Sequence, residues 1–118
     1  DVEAMGRELG DAIAELPEYE AFEEARAAVQ ADDEVQEEIK AFEQKRIAFA
    51  EAQQAGEANQ AQLMELQAAQ QELHAMPAME EFLVAQGELV GRLEDINRAI
   101  SEPLVVDFGG EAGGCCHD

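Results

Sequence analysis

Residues 77–100 read PAMEEFLVAQGELVGRLEDINRAI. Met79, Phe82, Gln86, Leu89, Leu93, Ile96 and Ile100 recur there at steps of three and four, with Leu83 and Val90 beside them. A helix turning every 3.6 residues places these side chains on one stripe. Pro77 suits the first helical position, where a missing N–H costs nothing and the ring presets the backbone. The segment therefore predicts a long amphipathic helix that starts at Pro77 and buries one side. Gly87 and Gly91, four apart, leave a flat spot on it. That spot either admits another helix at close range or only weakens this one.

The pattern extends upstream. Leu63, Leu66, Ala69, Leu73 and Met76 mark a preceding helix. A turn around Glu57-Ala58-Asn59 and a helix-ending Gly56 separate it from a longer helix, read from Asp33 to Ala55. Val35, Ile39, Phe42, Phe49 and Ala52 line one face of that longer helix. Ile47 lies off the face, which predicts a second neighbour. Asp32-Asp33-Glu34 is a helix start, because an Asp cap accepts a backbone N–H and further acids suit the positive end of the dipole. Tyr19, Phe22, Ala25 and Val29 mark another helix before it, opened by Pro17. Val2, Met5, Leu9, Ile13 and Leu16 mark the first. Proline disfavours helix in the residue before it, so Leu16-Pro17 reads as a break, with a single kinked helix as the alternative.

Five helices and no set of strands define an all-α class. The turn between the third and fourth helices is too short for anything but a long antiparallel hairpin. We read residues 1–101 as a five-helix bundle and 102–118 as a flexible tail. Leu104, Val105, Val106 and Phe108 open that tail. Four glycines between Gly109 and Gly114 then lead to Cys115, Cys116, His117 and Asp118.

Composition bounds the function. The 118 residues fit one domain, and 47% are hydrophobic, enough for a core. Much of that share is alanine and aromatics are only 5%, so help from a second chain is expected. Against 7 basic side chains stand 28 acidic ones, a formal charge of −21. Such a charge repels itself in a compact monomer, and salt screens the repulsion. Acids spread along the whole chain, with lysine only at Lys40 and Lys45, suit proteins that live in molar salt. An acidic chain built for a basic partner is the alternative. Direct nucleic-acid contact needs clustered Lys or Arg, but Lys40, Lys45 and Arg46 are flanked by Glu37, Glu38, Glu43 and Glu51. No basic face suits a membrane surface, and no apolar run suits a transmembrane helix or signal peptide. The expected location is cytoplasmic.

The chemistry of a reaction is hard to assemble from these residues. Ser101 is the only serine, and threonine does not occur. His74 has no cysteine or second histidine three or four residues away. Glu72, Glu80-Glu81 and Glu23-Glu24 read as solvated faces. Asp107-Phe108-Gly109 matches a kinase tripeptide by coincidence, in a chain too short for that fold. No enzyme activity is expected. Cysteine thiolates and histidine are suited to zinc or iron–sulfur ligation, so Cys115, Cys116 and His117 are candidate metal ligands. One tail holds too few ligands for a closed site, and adjacent thiols bite one ion awkwardly. A cluster or zinc ion would therefore be shared between chains. The alternative is a tail of reduced thiols with no metal.

Leu16-Pro17-Glu18-Tyr19 with Phe22, Asp32-Asp33-Glu34 with Phe42, Gly56, Leu63 through Leu73, and Pro77 with Phe82, Leu83 and Ala85 together resemble the YlbF/YmcA-type family of small helical regulators. The resemblance covers about residues 1 to 101. It implies five helices, a protruding hairpin, self-association and no enzyme activity. Bacterial members are accessory factors in competence, biofilm formation and sporulation; they assemble with partner proteins and influence an RNA-degrading enzyme. Some carry C-terminal cysteines linked to iron–sulfur clusters, and Cys115 and Cys116 stand where that feature is expected. Met76 departs from the pattern, because a polar cap, often Asn, usually precedes the proline. The acidity also departs from it and points to a haloarchaeal type of source, where the bacterial partners need not exist. Two functions follow: a non-enzymatic regulatory or assembly subunit in RNA processing or turnover or in developmental regulation, and an iron–sulfur or zinc carrier or sensor.

Overall fold

The computed structural model describes residues 1–109. Among them the chain forms five helices and no strand: α1 (Val2–Ala14), α2 (Pro17–Ala31), α3 (Asp33–Gln54), α4 (Gln60–Ala75) and α5 (Pro77–Ser101). The all-α reading and the five predicted helices hold, with boundaries within a few residues.

The junctions follow from local chemistry. Leu16 is extended (φ −66°, ψ 142°), so Leu16-Pro17 is a true break between two helices. At the next corner Asp32 caps α3, its Oδ1 accepting from the Val35 amide at 3.2 Å. Gln36 Nε2 donates to the Val29 carbonyl at 2.9 Å and closes the same corner from the other side. Gly56 ends the hairpin's first arm at φ +73°, in the left-handed region that a Cβ disfavours. The Gly56 amide donates to Gln53 and the Glu57 amide to Ala52, which satisfies two carbonyls at the helix end. Asn59 and Gln62 then cap α4 reciprocally, at 2.9 and 3.0 Å. Met76 makes no side-chain cap for α5. Its side chain packs on the core instead, which explains an apolar residue at a position that usually caps.

The core is small and lies where α2, α3, α4 and α5 meet. Val35, Leu73 and Met79 are buried, and Val29, Ile39, Phe42, Met76, Ala78 and Phe82 pack around them. Ala85 and Leu89 extend the buried stripe along α5. The most extensive helix pair is α2 with α5, followed by α3 with α4 in the hairpin. Beyond the core the hairpin continues with half-buried Phe49, Ala52, Leu63 and Leu66. Ile47, for which the sequence predicts a second neighbour, remains 46% exposed among the described residues.

The molecule measures 54 × 33 × 18 Å, with a radius of gyration of 19.0 Å. A compact chain of this length would have a radius of about 13.5 Å. Its least dimension is close to two helix diameters, each roughly 10 Å. Few side chains can be covered on all sides in so thin a body.

Candidate interaction surfaces

Among the described residues no group of three or more His, Cys, Asp or Glu side chains is placed to hold a metal ion. His74 is exposed on α4. Glu43 has its carboxyl held below the usual range by a hydrogen bond from Arg46, one turn along α3, and the Arg46 guanidinium is correspondingly raised. The Arg46 and Glu43 side chains are 54% and 47% exposed, so the pair is a surface contact. The proposed ligands Cys115, Cys116 and His117 lie outside the described residues.

The notable features are surfaces, and the first is α1. Asp1 caps it, accepting from the Ala4 amide at 2.8 Å. Val2, Met5 and Leu9 form its apolar stripe, spaced to share one face. The helix packs chiefly at its junction with α2. Val2 is therefore 77% and Met5 68% exposed. Burying a side chain of this size is worth about 1.5–3 kcal/mol. The chain alone gains little of that here.

The second surface is the outer side of the α2/α5 layer. Phe22 and Phe82 meet between the two helices, and Phe82 also packs on the core. Along the same helix pair Ala21, Ala25 and Ala28 of α2 face Ala78, Val84 and Ala85 of α5. These side chains are short, so the two helices leave an open groove of ≈ 540 Å³ between them. Glu24, Glu80, Glu81 and Glu88 stand on its rim, and no basic side chain lines it. Farther along α5, Gly91 borders a neighbouring hollow with Glu18, Arg92 and Arg98. A Cβ added at Gly87 or Gly91 would meet nothing within 4 Å. The flat spot read from the sequence is thus open space in the single chain.

The third is a clasp at the end of α5. Residues 102–109, expected to begin a flexible tail, turn back on the helix. Asn97 Nδ2 donates to Asp107 Oδ1 at 3.0 Å, and Ser101 Oγ donates to the same oxygen at 3.3 Å. The Phe108 amide donates to Ser101 Oγ and the Gly109 amide to Asn97 Oδ1, each at 2.8 Å. A Cβ on Gly109 would come within 2.9 Å of Asn97 Oδ1, so any other residue there requires the Asn97 side chain to shift. Val105 stays fully exposed on the outside of the clasp.

Neither the groove nor the clasp was read from the sequence. The groove's signal, Ala21, Ala25 and Ala28 at helical spacing, is indistinguishable from good helix formers on a solvated face. The clasp's signal, Asn97, Ser101 and Asp107, has no local period at all.

These features define a class: a thin, acidic, all-α protein whose apolar faces exceed what its own chain covers. The profile of the family described as "Control of competence regulator ComK, YlbF/YmcA" matches residues 2–105, and the chain belongs to that family. The chain is also 31% identical over 101 residues to a UPF0342 protein of Streptococcus mutans serotype c, covering 85% of this chain and 89% of that one. No solved structure matches it. Among the described residues no helix is long and apolar enough to cross a membrane.

Proposed function

We propose that this chain is a non-enzymatic regulatory or assembly subunit that works by protein–protein contact, as an accessory factor in RNA processing or turnover or in developmental regulation. The observation that carries the reading is the uncovered stripe of α1, Val2, Met5 and Leu9, on a chain of a regulator-associated family. Homo-oligomers form through that stripe, and other proteins are the further partners. Direct nucleic-acid contact is no part of the proposal. Of the one basic cluster, Arg46 is already engaged with Glu43, and the net charge is −21. The place of action is the cytoplasm.

Substituting Met5→Asp and Leu9→Asp together tests this. Light scattering in high salt should report a dimer or larger assembly for the natural chain and dissociation for the variant, with helicity unchanged. The variant should also fail to complement a deletion strain. Monomer alone at micromolar concentration counts against self-association, and full complementation counts against the surface.

A second reading rests on the soft donors Cys115, Cys116 and His117: an iron–sulfur cluster or zinc ion shared between chains, with the protein as its carrier or sensor.

A further inference from the structure

We propose that the groove between α2 and α5 is the docking site for a basic amphipathic helix of another protein, about three turns long. The inference deepens the assembly reading above and rests on it.

Shape comes first. The floor consists of Ala21, Ala25 and Ala28 on one wall and Ala78, Val84 and Ala85 on the other. Short side chains on both walls allow a third helix to approach closely and complete a three-helix layer. From Ala78 to Glu88 the groove is roughly 15 Å long, at 1.5 Å per residue. Val84, the largest apolar side chain in it, is 58% exposed and would be covered by such a guest.

Charge selects the guest. Glu24, Glu80, Glu81 and Glu88 flank the apolar floor and no basic side chain lines it, although Glu88 also borders the next hollow, where Arg92 and Arg98 stand. A helix with an apolar stripe and Lys or Arg on both flanks places a cation beside each carboxylate as it buries the stripe. Like charges brought together across an interface cost several kcal/mol. At low salt that cost disfavours the obvious guest from a second copy of this chain. The exposed helix α1 carries Glu3, Glu8, Asp11 and Glu15, with Arg7 as its only basic side chain. Laid in the groove, it would set carboxylates against carboxylates.

The test uses the full chain and two labelled synthetic helical peptides. They share one alanine and leucine face; one is flanked by Lys and Arg, the other by Glu. Anisotropy is read at the lowest salt that preserves full helicity, and again in molar salt. The basic peptide should bind at least tenfold more tightly than the acidic one, and more weakly in molar salt. Val84→Glu should weaken it at least tenfold, as should Glu80→Gln, Glu81→Gln and Glu88→Gln combined. Both variants alter exposed side chains, so circular dichroism should be unchanged. The control Glu37→Gln, Glu38→Gln and Glu72→Gln, in an acidic patch around Met76, should leave binding intact. Equal binding of the two peptides, or indifference to Val84→Glu, overturns the proposal. So does a Val84→Glu variant that falls from oligomer to monomer, since the groove then holds a second copy. If the peptide fails while the α1 variant still loses complementation, the groove is wrong and the assembly reading stands.

Discussion

The rings of Phe22 in α2 and Phe82 in α5 lie with centroids 5.3 Å apart, tilted by 36°. They are 60 residues apart in the chain and join the two helices that pack together most extensively. Tilted aromatic pairs contribute about 0.5–1.5 kcal/mol beyond the area they bury. Both rings are only half-buried, so Phe82→Ala should cost about 2–3 kcal/mol, less than a fully buried ring. Urea unfolding of Phe22→Ala, Phe82→Ala and the double variant should show a coupling of about 1 kcal/mol. Strict additivity would mean that the rings touch without cooperating.

The clasp predicts a local effect. Asn97→Ala removes the acceptor of the Gly109 amide and the donor to Asp107. The amides of Phe108 and Gly109 should then exchange with solvent at least tenfold faster. The melting temperature should barely move, because none of these groups is in the core. A large loss of global stability would show that the clasp supports the bundle itself.

Salt predicts a global effect. A charge of −21 is spread over a body only 18 Å thick. We expect it to be adapted to molar salt, where the Debye length falls to about 3 Å and the repulsion is screened. Helicity and melting temperature should rise markedly from low to molar sodium chloride. A flat melting temperature across that range would remove the halophilic reading.

The thiols predict a division of labour. Cys115 and Cys116 follow α5 and a run of glycines in sequence, a position from which we expect them to be dispensable for folding. The double substitution Cys115→Ser, Cys116→Ser should keep full helicity and lose bound iron or zinc. Metal analysis and an absorbance spectrum after purification without oxygen provide the readout. A natural chain free of both metals, together with full complementation by the variant, would make the thiols dispensable.

Local chemistry made the helices and their ends legible in the sequence alone. Pro17, Gly56 and Pro77 act on their own backbone, and the 3.6-residue period marks an apolar face wherever the helix later packs. The hairpin was legible for the same reason, since a short turn between long helices leaves one geometry. Which apolar face is covered, and by what, was decided only by the tertiary structure. The stripes of α1 and α5 look alike as patterns, yet Leu89 is buried and Met5 is open, because α2 crosses α5 and α1 has no such neighbour. The alanines of α2 became a groove wall only when α5 packed beside them. Periodicity reports that a side chain is apolar. Burial depends on contacts between residues far apart in the chain, and no local pattern encodes their distance.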